Sequence, residues 1–424
     1  MVLIMKMNKS QLAWASYDFA NSAFHLMLPT VLFPLYFKTV LLGDHSSSDL
    51  IWSLVISIPV LLVGLLSPFI GAYLDNKHKN RSFFIWVTTI TIVLNFALGI
   101  VSPSMSILNI IIYAVCLLCF NFSQFSYDAF LPTQKKGKGV ASLSGWGWGT
   151  GYLGGIICLI PIYIIISGKV LPEDYRAYQL AFIVTAMFYL IFTLPSFLFM
   201  KDNSAVANSN QGIKVNPYKK VFRTLTNWKE NKHIFIFLIA FYLINDGLST
   251  LVYFTSIFAA TTLHMETTEI LISFLFVQLV GVPATIIFCN LSEKQGYMKV
   301  FMCTVILWII LGVAFVIVST TIQFYVLAFF VGLVIGTTPA MARAIISSFL
   351  EKRFDSAEIF GFNALTSRAS SILGPLFFGA VSSITGSQRL GLLSLVVFFS
   401  LGMVLLVFNQ YNEKKNSSGN FQIY

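Results

Sequence analysis

Six ionisable residues interrupt stretches that are otherwise apolar: Asp18, His25, Asp128, Asp246, Arg343 and Arg368. Asp18 stands in "WASYDFANSAF" (Trp14–Phe24), with Asn21 almost one helical turn later. Downstream come only apolar and small residues, one histidine and prolines until Lys38. A desolvated aspartate can take up a proton or pair with a cationic group, and an arginine can grip a carboxylate through two parallel hydrogen bonds. Charges in a bilayer are costly and normally face a cavity and pair there. No catalytic constellation accompanies them. Serines are plentiful, but the five histidines are scattered, and no nucleotide-binding loop is present. Cys116 and Cys119 form a C-x-x-C within "YAVCLLCFNF" but have no partner ligands, so they read as small packing residues. The chain is expected to need no metal or cofactor and to be no enzyme.

The elements that would position these residues are membrane helices. Of 424 residues 57% are hydrophobic and only 10% charged, against about 25% charged in a soluble domain. Twelve apolar runs are long enough to span: about 14–38, 50–73, 83–102, 106–131, 143–167, 177–200, 234–261, 268–290, 299–319, 322–349, 358–384 and 388–409. The reading is an all-α polytopic membrane protein, and the absence of long alternating segments argues against an outer-membrane barrel. The net charge of +10 does not signal nucleic acid, because the basic residues sit in short loops on alternate sides of the runs. With the N-terminus inside, the bias is about five to one in favour of the cytoplasm, which puts both termini there.

The longest polar segment, 201–232, separates a six-helix half (1–200) from a second half (233–410), followed by a tail (411–424). Within it Val221, Leu225 and Trp228 share a helical face, which predicts a short interfacial helix. Six helices, a basic loop and six helices are the layout of a major facilitator transporter.

The motifs carry the resemblance further. "GAYLDNKHKNR" is similar to the major facilitator loop signature between helices 2 and 3: Gly71 and Asp75 match, and Lys77, Lys79 and Arg81 supply the basic cluster. Asn76 and His78 depart from it. This implies a gating role for Gly71, Asp75 and Arg81. "NLSEKQGYMK" is a faded second copy, with Glu293 in place of the aspartate. "WASYDFANSAF", "SYDAFLP", "SGWGWGTGYLGG", "LINDG", "PAMARAI" and "FGFNALTSRASSILGPLFFG" together resemble the vacuole effluxer family, the bacterial and fungal relatives of the yeast vacuolar amino-acid effluxer linked to autophagy. Two departures stand out: the family usually has an amide near Asp128, and its glycine-rich segment is usually less aromatic. The resemblance covers nearly the whole chain and implies the major facilitator fold of two six-helix halves.

In that fold helices 1, 4, 7 and 10 line the central cavity, and Asp18, Asp128, Asp246 and Arg343 fall one on each. Asp246 follows about twelve apolar residues, which places it near mid-membrane as a proton site or a partner for a cationic group. Asn245 and Gly247 beside it predict a local break in the helix. Asp18 reads either as a cavity residue or as a carboxylate at the inner interface, favoured by the helix N-terminus. Asp128 has the same ambiguity. Arg343 and Arg368 read as ligands for a substrate carboxylate or as gating partners of the acids. His25 reads as a hydrogen-bonded packing residue with a possible proton-relay role. The glycines of "SGWGWGTGYLGG" read as a close-packing surface.

The expectation is a secondary transporter of a small polar, amino-acid-like solute, driven by protons. It would be a monomer in the bacterial inner membrane, with no nucleic-acid partner. Two other readings stay open: import of an anionic solute or metal chelate such as a siderophore, through Arg343 and Arg368, and a non-transporting sensor on a transporter scaffold.

Overall fold

A computed structural model describes residues 8–43, 47–77, 79–130, 139–167, 175–200, 232–353 and 371–419. Every regular element among them is a helix. In chain order they are α1 (Lys9–Leu41), α2 (Ser48–Lys77), α3 (Asn80–Leu98), α4 (Ser106–Asp128), α5 (Gly139–Ser167), α6 (Tyr175–Phe199), α7 (Lys232–Thr261), α8 (Thr267–Gln295) and α9 (Tyr297–Ile317). Then come α10, in two segments (Thr321–Ile335 and Thr337–Arg353), α11 (Leu373–Thr385) and α12 (Gln388–Gly419). Eleven are long and apolar enough to cross a bilayer, and α11 is a shorter apolar helix. Hydrocarbon offers the backbone no hydrogen bonds, so each span must satisfy its own as a helix. The run expected at 358–384 is described only from Ser371 onward, and the expected interfacial helix (Val221, Leu225, Trp228) lies outside the described residues.

The helices form two compact units. One comprises Met1–His45, Ile58–Lys214 and Ala259–Gln278; the other comprises Ser46–Ser57, Val215–Phe258 and Leu279–Tyr424. These boundaries cut across the expected halves in two places. The first turns of α2 group with the second unit, and the end of α7 with the start of α8 groups with the first.

The first unit is organised around α1. Asn8 caps it in a reciprocal capping box with Gln11, the two bonds measuring 2.8 and 3.1 Å. Pro29 removes one amide from the ladder, and α1 widens there into a π-helical stretch, Leu26–Leu32. The hydroxyl of Thr30 donates to the His25 carbonyl at 2.9 Å, satisfying an oxygen that the proline cannot serve. α1 lies backbone to backbone against α5. A Cβ at Gly154 would collide with the Phe19 carbonyl, and one at Gly151 with the Ser22 hydroxyl. Gly151 and Gly154 of the glycine-rich motif therefore form a close-packing surface against α1. Ser16 and Ser196 tie α1 to α6 by donating to the carbonyls of Phe192 and Ala13, both at 2.6 Å.

In the second unit Trp308 of α9 is fully buried. It stacks on Phe399 of α12 and donates to Thr338 of α10 at 3.0 Å. Arg389, near the start of α12, donates to the carbonyls of Val316 and Val318 at 2.5 and 2.6 Å, closing the end of α9.

Gly154→Ala should destabilise the protein by about 1–3 kcal/mol, because the Phe19 backbone cannot step aside. Gly64→Ala, with nothing near the added methyl, should stabilise by roughly 0.5–1 kcal/mol through helix propensity. Melting temperatures in detergent should therefore move in opposite directions for the two variants.

Candidate functional site

In the first unit α1 presents Trp14, Tyr17, Asp18, Asn21 and His25 at helical spacing. Trp14 stacks on Tyr127 of α4, with centroids 4.8 Å apart and planes 13° apart. The Tyr17 hydroxyl is fully buried and bonded to Ser123 at 2.8 Å and to Tyr189 at 3.0 Å. Asn21 is buried and accepts from Gln124 Nε2 at 2.6 Å. The Tyr127 hydroxyl donates to the Trp14 carbonyl at 3.2 Å. Asp18 is a hydrogen-bonding neighbour of the same hydroxyl, and Asp128 also lies within its electrostatic reach. The structure thus brings Asp18, Asp128 and the aromatic set together. Asp18 is half-buried, and Asp128 is exposed as the last residue of α4.

The helix N-terminus does not account for Asp18. α1 begins at Lys9, so Asp18 is more than two turns inside the helix, beyond the first turn in which the terminal dipole acts. His25 packs 6.1 Å from Phe120 at the entrance to the π-helical stretch.

Two of the expected gating residues, Gly71 and Arg81, make local contacts. Gly71 faces Phe125 of α4, where a Cβ would stand 3.0 Å from the ring. Arg81 donates to the Phe197 carbonyl at 2.6 Å, closing the last turn of α6. Asn80 and Ser126 exchange bonds of 2.6–3.1 Å that fix the start of α3 on the end of α4. Asp75 lies in α2 and Arg343 in the second segment of α10, but their side chains are outside the described residues, as is the whole of Arg368.

Among the described residues of the second unit, Asp246 of α7 is the most deeply buried charged group, with 0% of its surface exposed. Its Oδ2 accepts from the Gly374 amide at 2.8 Å, and the amides of Ile372 and Leu373 also point to it. Among the described residues its Oδ1 has no hydrogen-bond partner. α11 starts at Leu373 without any capping side chain of its own. Asp246 supplies that cap from another helix, putting negative charge where the free amides and the dipole favour it. Gly374 is required for this approach. A Cβ there would meet the Thr250 hydroxyl and lie 2.8 Å from the Asp246 carbonyl. Tyr242, one turn earlier on α7, is the titratable neighbour on the same helix.

The break expected at Asn245 and Gly247 is absent, for α7 runs unbroken from Lys232 to Thr261. Gly247 instead admits the Phe399 ring, 2.9 Å from where its Cβ would be. The backbone end that offers free amides belongs to α11.

Sequence reasoning missed Asp49. It is 5% exposed and accepts from Ser382 at 2.6 Å and from Gln388 at 3.0 and 3.1 Å. An aspartate opening a helix reads as an ordinary cap. The available signal was the polar stripe Asp49, Ser53 and Ser57, recurring every fourth residue in an apolar run. Among the described residues no group of His, Cys, Asp or Glu could hold a metal ion, and Cys116 and Cys119 are free thiols.

Removing the cap should cost stability in proportion to the acceptors lost. Asp246→Ala leaves the α11 amides buried and unpaired, a loss of about 1–3 kcal/mol. Asp246→Asn keeps one acceptor oxygen and should lose less. Melting in detergent should rank wild type and Asp246→Asn above Asp246→Ala.

Comparison with known proteins places these features in a family. Residues 133–419 match the family model described as vacuole effluxer Atg22 like. The uncharacterized MFS-type transporter YxiO of Bacillus subtilis (strain 168) is 25% identical over 413 residues, 96% of each chain. Autophagy-related protein 22-1 of Penicillium rubens is 24% identical over 290 residues, 62% of this chain and 48% of that one. The chain thus spans about half the length of the fungal relatives it matches. Among solved structures, the nucleoside transporter NupG aligns with a TM-score of 0.66 at 16% identity, covering 96% of this chain and 99% of that one. A bacterial homologue of the human lysosomal transporter Spinster, inward-facing and unoccupied, aligns with a TM-score of 0.68 at 12% identity, covering 94% and 95%. These likenesses show the major facilitator fold. The chain is a multi-pass, MFS-type transporter, and it belongs to the vacuole effluxer Atg22-like family.

Proposed function

We propose that this transporter moves a small polar, amino-acid-like solute by alternating access, coupled to protons, with Asp246 as the coupling site. The observation that carries this reading is the Asp246 carboxylate, fully buried and, among the described residues, with one oxygen unpartnered. An ionised carboxylate so placed bears a large desolvation cost that the α11 amides facing it only partly offset. Taking up a proton removes that cost, so proton occupancy there depends strongly on whether water reaches the site. That dependence is what a coupling residue requires. The tertiary arrangement of Asp18, Asn21 and Tyr127 supplies acceptors suited to a substrate ammonium group. Asp128 in the first unit, and Arg343 and Arg368 in the second, remain further candidate substrate or proton residues, and Gly71, Asp75 and Arg81 the candidates for gating.

Family membership supports efflux as the direction. The distribution of lysines and arginines supports an orientation with both termini in the cytoplasm and, in a bacterium, residence in the inner membrane. α2 would then begin at the outer face.

Reconstituted protein tests the coupling. Wild type should accumulate a transported amino acid against its gradient when a pH gradient is imposed. Asp246→Asn should abolish that accumulation yet retain exchange of labelled for unlabelled substrate, because an asparagine is permanently neutral. Gradient-driven accumulation by Asp246→Asn at the wild-type rate would refute the assignment.

A further inference from the structure

α11 is held at both ends by carboxylates that come from other helices. At its start the Gly374 amide donates to Asp246 of α7. Towards its end the Ser382 hydroxyl donates to Asp49 of α2 at 2.6 Å, and Gln388, which opens α12, donates to both oxygens of the same carboxylate. Between these points α2 and α11 form a seam. Ser57 donates to the Ile372 carbonyl at 3.2 Å. Gly379 lies against the Ser53 hydroxyl and 2.8 Å, measured from its virtual Cβ, from the Asp49 carbonyl. Ser57, Ser53 and Asp49 thus pair in order with residues 372, 379 and 382, so the two helices run antiparallel. The absence of a side chain at Gly379 sets their spacing. Trp52, fully buried on the same side of α2, donates to the Tyr253 carbonyl of α7 at 3.2 Å.

From Gly374 to Ser382 is about 12 Å of helix at 1.5 Å per residue. A hydrogen-bonded helix of that length moves as a unit. Its start is capped from α7, and its end is latched onto α2 and α12. A charged carboxylate holds helix amides more tightly than a neutral one. A change of charge at Asp246 therefore changes the hold on one end of a stiff element whose other end carries the latch.

We propose that α11 is a coupling lever, transmitting proton occupancy at Asp246 to the Asp49–Ser382–Gln388 latch that fixes the first turns of α2. This rests on the reading of Asp246 as the proton site. Protonation weakens the grip on Gly374 N–H, α11 shifts, and the α2 seam opens. α2 is the element that responds, because Asp49, which accepts both latch contacts, stands in its first turn. Asp49 is a positioning residue in this scheme; it touches no substrate.

The reporter is a cysteine at Ser53, introduced after the five native cysteines are replaced. Ser53 is fully buried in the seam. In nanodiscs a water-soluble maleimide should modify Ser53→Cys slowly in the parent and severalfold faster with Asp49→Ala. Asp246→Asn should raise the rate in the same sense, although it alters nothing in the seam itself. Ser382→Ala, which removes a single bond, replaces Asp49→Ala if that variant does not fold. A parent-like rate in Asp246→Asn beside a raised rate in the latch variant overturns the lever. Flux measured on the same preparations separates the two ideas. Loss of gradient-driven accumulation with unchanged labelling sinks only the lever. Retained accumulation sinks the proton site and the lever with it.

Discussion

One contact organises the second unit: a carboxylate that reaches no solvent, set against the first amides of a short helix. Either partner alone would be costly. An isolated aspartate in an apolar bundle must find hydrogen bonds or lose its charge. A helix that begins inside the protein without a cap leaves amides unpaired. Asp246 and α11 resolve both problems together, and in doing so they fix where α11 starts. The position of α11 then sets what can pack on it. Glycines stand where α7 and α2 approach most closely, and a stripe of small polar residues lines the facing side of α2. Among the described residues one oxygen of the carboxylate is left over, the feature on which the proposed proton site rests.

The first unit handles its polar groups differently. Tyr17, Ser123 and Tyr189 satisfy one another, Asn21 is paired with Gln124, and the carboxylates Asp18 and Asp128 gather around the rim of an aromatic cluster. The glycines of α5 bring its backbone onto α1 at the level of Asp18 and Ser22, so the acidic patch is carried by a tightly braced helix. Yet α1 itself contains two π-helical stretches, one of them at Pro29. Close packing below and an irregular ladder above suit a helix that positions polar groups and also accommodates rearrangement.

Much of this was legible in the sequence, and the limits have physical causes. Long apolar runs must become helices in a membrane, so the spans were plain from hydropathy. The glycine-rich segment announced close packing because small residues have little other purpose at a helix contact. Asp246 stood out because a charge in mid-membrane needs a reason. Its partner did not, since Gly374 lies 128 residues away and offers only a backbone amide, which no residue type advertises. Asn245 and Gly247 suggested a broken helix by composition, whereas tertiary packing used the glycine to admit Phe399. Asp49 carried no expectation, because an aspartate at the start of a helix is an ordinary feature. Only its Ser53 and Ser57 companions, one turn and two turns on, hinted at a polar seam. Arg81 was assigned to gating from the loop signature, while its described bond closes the end of α6.

The central claim is that Asp246 changes protonation during the transport cycle. Infrared difference spectroscopy on lipid-reconstituted protein, with and without transported substrate, observes this directly. The account predicts a protonated-carboxyl stretching band that changes on substrate addition and is missing in Asp246→Asn. An Asp246 that gives only the ionised carboxylate bands, unchanged by substrate and by acidification, would contradict it.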